Sequence, residues 1–119
     1  MVNLLISQLR ALWRHRLAEL GVDFKRSLPF ADYIVDRWEK AKALGFGEGA
    51  SIYDSVLVIG DVKVGKNTWI GPFVVLDGSA GIEIGAYCSI SAGVQVYSHD
   101  SVKWAITGGS SAKDYAKTK

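Results

Sequence analysis

Apolar side chains return every six residues along the second half of this chain. From Ile52 the step of six lands on Val58, Val64, Ile70 and Leu76. After two additional residues it resumes at Ile84, Ile90, Val96 and Val102. Four positions after these landings runs a second column of small or β-branched residues: Val56, Val62, Thr68, Val74, Cys88 and Val94. Glycine follows the landing residue at Gly65, Gly71 and Gly85. A period of 3.6 predicts a helix and a period of two an ordinary strand. A period of six predicts a parallel β-helix, in which each hexad is one short strand and one corner. Three hexads make a coil of about eighteen residues, so residues 52–107 predict about three coils.

The columns then stack as three walls. Ile52, Ile70 and Ile90 form the first; Val58, Leu76 and Val96 the second; Val64, Ile84 and Val102 the third. The two extra residues fall in the turn-forming run Gly78-Ser79-Ala80-Gly81, which predicts a bulged corner. An ordinary sandwich of short strands is the competing reading. It does not account for so many hexads in phase. Cys88 lies in the inward column and reads as a small buried hydrophobe. Tyr53, Trp69, Phe73 and Tyr87 lie outward and need a cover.

The first fifty residues carry a helical pattern instead. Leu5, Leu9, Leu12, Trp13, Leu17 and Leu20 recur at helical spacing, and Gly21 marks a stop, which predicts a helix over 3–20. A second helix is predicted over 29–44, with Ser27 as its cap, Pro29 in its first turn and Gly45 at its end. Phe30, Ile34, Trp38 and Ala41 would form its apolar face. The fold class is thus mainly β, with two N-terminal helices over 1–50, the repeats over 51–107 and a polar tail or truncated loop over 108–119. The helices read as covers for the repeats or for a neighbouring subunit. The arginines of the first helix also suit a membrane surface, but packing against protein is the preferred reading, and membrane contact is not expected.

The hexads Val64-Gly65-Lys66-Asn67-Thr68-Trp69, Ile70-Gly71-Pro72-Phe73-Val74-Val75 and Ile84-Gly85-Ala86-Tyr87-Cys88-Ser89 resemble the hexapeptide-repeat acyltransferases. The segment Val96 to Trp104, with His99 at its centre, is similar to the histidine loop of the sugar and xenobiotic O-acetyltransferase branch. The likeness covers residues 52 to about 110. It implies a left-handed parallel β-helix, an exception to the usual right-handed crossover. It implies a homotrimer with the active site between subunits. It also implies acyl transfer from acetyl-CoA to a small hydroxylated acceptor, a sugar above all, without an acyl-enzyme. Members of that family carry further hexads after the histidine loop, so the likeness implies that these residues correspond to its N-terminal part.

Composition narrows the chemistry. The chain has 119 residues and a net charge of +2, which gives no case for nucleic acid. One cysteine excludes an internal disulfide and, with no signal-peptide pattern, points to the cytoplasm. There are two histidines. His15 sits among arginines and reads as a solvated side chain. His99 follows an in-phase strand, and the likeness makes it the general base. A neutral imidazole suits that task, because its ordinary pKa lies near 6.5. Tyr97, Asp100, Lys103 and Trp104 are candidate acceptor-binding residues around it, with Asp100 also able to orient the imidazole. Asp77, at the inserted corner, is a further candidate for a sugar hydroxyl. No cofactor-binding residue is assigned, and no metal set is expected, since zinc takes three or four His, Cys or carboxylate ligands. The competing function is a non-catalytic structural or oligomerisation module of the same fold.

Overall fold

A computed structural model describes residues 1–109 and the backbone of 116–117. The chain begins with α1 (Val2–Leu20), which ends at Gly21 as the glycine predicts. α2 (Ala31–Ile34) and α3 (Arg37–Ala43) follow. The single helix expected over 29–44 is therefore two. Val35 and Asp36 are extended between them, at φ −81° and −78°. Asp36 explains the break, because its carboxylate accepts from Trp38 N at 3.0 Å and Glu39 N at 2.8 Å and so caps a new helix. Ser27 caps nothing. α3 closes at Gly45, whose φ of 77° lets Phe46 N reach Ala41 O at 2.9 Å.

The strands are β1 (Ser51–Ile52), β2 (Leu57–Val64), β3 (Trp69–Ile70), β4 (Val75–Ile84), β5 (Ser89–Ile90) and β6 (Gln95–Tyr97). They form two parallel sheets, ordered β1-β3-β5 and β2-β4-β6. Registers follow the hexads. Ile52 pairs with Ile70 and Ile70 with Ile90. Val58 pairs with Leu76, Leu76 with Val96, and Val64 with Ile84. Ile52, Ile70, Val74 and Leu76 are fully buried between these sheets. Thr68 shares that core because its Oγ1 donates to Gly85 O at 2.6 Å and accepts from Cys88 N at 3.1 Å.

The third wall stops one turn early. Val102 keeps hexad phase but does not join it. After β6 the chain leaves the stack as β7 (His99–Asp100), antiparallel to β8 (Ala116–Lys117), with α4 (Val102–Ile106) between them. Helix and strand are therefore mixed among the described residues, rather than mainly β as expected. The expected tail over 108–119 lies largely outside the described residues. Without a further turn above them, Ile84, Ile90 and Val96 are only half-buried, and Val94 is exposed. Cys88 is likewise half-buried rather than enclosed.

The helices cover one wall. Lys40 Nζ donates to Asp54 Oδ1 at 3.0 Å and to Asp54 O at 3.2 Å, clamping α3 on the corner after β1. Asp32 Oδ1 accepts from Asp54 N at 2.6 Å. Tyr53, expected outward, is buried under the Arg37 guanidinium, 4.6 Å from its ring. Asp32 and Tyr33 are the buried positions of α2 and Ala41 that of α3, while Phe30, Ile34 and Trp38 are exposed. α1 touches α2 only near its C-terminal end. None of its 19 residues is buried, and Arg16 Nε meets Tyr33 O at 2.9 Å near its end. Among the described residues, no helix is long and apolar enough to cross a membrane.

Candidate functional site

The inserted corner brings Asp77 to the histidine loop. Asp77 lies in β4 and pairs in register with Tyr97 of β6. Its carbonyl accepts from Ser98 N at 3.0 Å and from Ser98 Oγ at 2.9 Å. Ser98 Oγ in turn accepts from Ala80 N at 2.8 Å, and Ser98 is buried. The corner and the loop are thereby tied by one serine. His99, the next residue, sets Nδ1 3.5 Å from Asp77 Oδ2. The side chains are 19% and 10% exposed, so the pair is sheltered without being sealed. At that distance the contact is electrostatic, longer than the roughly 2.7–3.2 Å of a formed N–H···O bond.

The other carboxylate oxygen has separate partners. Asp77 Oδ1 accepts from Ser79 N at 3.1 Å and from Ser79 Oγ. This is an Asx turn, in which the side chain bonds backbone two residues on. The Ser79 hydroxyl holds the Asp77 carboxyl below the ordinary aspartate range. Burial opposes this; the Ser79 N–H and the nearby imidazole add to it.

The expected site residues divide. Asp77, Tyr97 and His99 converge. The Tyr97 and His99 rings meet edge to face at 6.2 Å, and Tyr97 is about half-exposed. Asp100 serves a different end from the one considered for it, since its Oδ1 accepts from Val102 N at 3.1 Å, at the start of α4. The carboxylate beside the imidazole is Asp77. Lys103 and Trp104 lie on α4, exposed. His15 is exposed and sits 3.1 Å from Glu19 Oε2. Ser79 was not among the candidates, although Asp77-Gly78-Ser79 carries the Asx-turn signature. Among the described residues, no three His, Cys, Asp or Glu side chains gather where they could hold one ion.

No family model matches the chain, and no curated protein matches it. The likeness to hexapeptide-repeat acyltransferases therefore rests on the quoted hexads and the histidine loop.

Proposed function

We propose that this chain is an acetyl-CoA-dependent O-acetyltransferase acting on a sugar or another small hydroxylated acceptor, built on a left-handed parallel β-helix. The hexad registers support the helical reading, because the columns Ile52–Ile70–Ile90 and Val58–Leu76–Val96 pair in phase across successive turns, and Val64 pairs with Ile84. The observation that carries the functional reading is the contact of His99 Nδ1 with Asp77 Oδ2 at a corner of that stack. A carboxylate on one ring nitrogen favours a proton there and leaves the other nitrogen, Nε2, as the base.

In this mechanism the acceptor hydroxyl oxygen attacks the thioester carbonyl carbon of acetyl-CoA. His99 Nε2 takes the hydroxyl proton as the new C–O bond forms. The tetrahedral intermediate collapses, the C–S bond breaks, and the proton passes from the imidazolium to the departing CoA sulfur. Asp77 stabilises the transient imidazolium. Tyr97 borders the imidazole and is a proposed contact for the acceptor; Lys103 and Trp104 on α4 are proposed contacts for the acceptor or the pantetheine arm.

A homotrimer belongs to the same proposal. Leu5, Ile6, Leu9, Leu12 and Trp13 on α1 are exposed, as are Phe73 and Tyr87 on the stack. An exposed apolar stripe of this kind marks an interaction surface. α1 carries a single acidic residue, Glu19, against Arg10, Arg14 and Arg16, and its apolar stripe is too short for an independent coiled coil. Neighbouring copies of the chain are therefore the proposed cover, each contributing wall as well as helix.

Release of CoA thiol from acetyl-CoA, measured against a panel of sugars, tests the activity. His99→Ala should lower kcat by about two to four decades and leave KM for acetyl-CoA little changed. His15→Ala should change neither. Full turnover by the His99 variant would remove His99 as the base.

A further inference from the structure

The two turns of the stack differ in length at one corner, and that corner abuts the site. Gly60 pairs with Gly78 and Val62 with Ile82. A single residue, Asp61, thus spans in the first turn what Ser79, Ala80 and Gly81 span in the second. At the position equivalent to Asp77 the first turn has Ile59. The longer corner supplies donors that the shorter one cannot. Ser79 N and Ser79 Oγ both donate to Asp77 Oδ1, and Ala80 N donates to Ser98 Oγ. The close approach leaves no room for change beneath it, since a Cβ on Gly60 would meet the Gly78 carbonyl oxygen at 2.5 Å.

We infer that the inserted corner is a positioning device for the carboxylate, with Ser79 holding Oδ1 of Asp77 so that Oδ2 faces His99 and keeps the imidazole proton on Nδ1. The terminal torsion of an aspartate is soft and two-fold, so an unrestrained carboxylate would not present one fixed oxygen. Two donors on the same oxygen set its plane. A charge-assisted hydroxyl bond is the stronger kind, which makes the serine side chain more than a turn former. Ser79 touches neither substrate nor imidazole in this scheme; it acts through Asp77. Its catalytic use rests on the reading of His99 as the base, but the geometry is independent of that reading.

The test is a nitrogen-15 spectrum of the imidazoles of the full chain at a pH where histidine is neutral. Only two histidines contribute, and His15→Gln assigns them. Wild-type His99 should show a single tautomer, protonated at Nδ1. Ser79→Ala should lose that single-tautomer signature and populate the Nε2-protonated form. Ser79→Thr, which keeps the hydroxyl, should restore it, and Asp77→Asn should abolish it. Ser79 is exposed, so the alanine variant should keep the wild-type fold with a lower melting temperature from the lost bond to Asp77, and the spectrum is read below that transition. An Nδ1-protonated imidazole unchanged in Ser79→Ala would overturn the inference, as would a wild-type His99 without that preference. A failed acetyl-transfer assay would leave the spectroscopic result standing, so the two readings fail separately.

Discussion

Asp77 shows how one side chain ties local sequence to a distant partner. Its carboxyl is held below the ordinary aspartate range, first by the Ser79 hydroxyl. The sign of the linkage follows from that direction. As pH falls, the unfolded chain takes the proton before the folded chain does, so the contribution is present above the ordinary aspartate range and lost as pH drops through the folded value. The urea midpoint should therefore fall more steeply between about pH 5 and pH 2 in the wild type than in Asp77→Asn. Parallel slopes would show that the Ser79 and His99 contacts do not bias ionisation. Elsewhere the residue scale is governed by burial. Ile70 is fully buried with a turn on either side, and Ile70→Ala should cost about 2–5 kcal/mol by chemical denaturation. Ile84 is in the same hexad phase but half-buried, so Ile84→Ala should cost less. Lys66 is exposed, and its alanine variant should lie within about 0.5 kcal/mol of wild type. Equal losses at Lys66 and Ile70 would contradict the inward column.

Among the elements, the β-strands were legible and the helix boundaries only partly so. Gly21 and Gly45 each end a helix where the sequence marks an end. The break at Val35-Asp36 was not read, because the apolar spacing runs through it. Asp36 is an ordinary cap residue, yet a cap signal inside a periodic stretch competes with the pattern, and here the cap prevailed. Removing it isolates its worth: Asp36→Ala should destabilise the fold by about 0.5–2 kcal/mol and weaken the helical circular dichroism. An unchanged melting temperature would mean that the Lys40–Asp54 clamp alone holds α3. α4 illustrates the opposite failure. Val102 and Ile106 keep hexad phase, but Ala105 N bonds Ser101 O at 2.9 Å and Thr107 N bonds Lys103 O at 3.0 Å. Val102 makes no strand pair with Ile84, and the local helical bonds of α4 satisfy its backbone instead.

For the whole molecule, the helices and the stack have different relations to solvent. α2 and α3 are clamped to the first turn; α1 projects from it, and the described chain is elongated, with extents of 53 × 37 × 23 Å. If copies cover α1, static light scattering should report a trimer, and Leu5→Glu with Leu9→Glu should dissociate it while leaving the strand signal intact. A monodisperse monomer of the wild-type chain at micromolar concentration would remove the trimer from the proposal. The sequence by itself determined the wall columns and their register from Ile52 to Val96, because a six-residue period is local and each landing residue needs only to be apolar and of similar volume. It also determined where the corner lengthens, since the turn formers Gly78 to Gly81 stand in the chain itself. Tertiary structure alone decided which carboxylate meets His99. Asp100 is adjacent in sequence, but a strand turns neighbouring side chains to opposite sides. Asp77, twenty-two residues away, is brought close by parallel pairing with Tyr97. Burial of Tyr53 and of Tyr33, and the departure of the chain from the third wall, were decided the same way, by contacts between segments that no local period encodes.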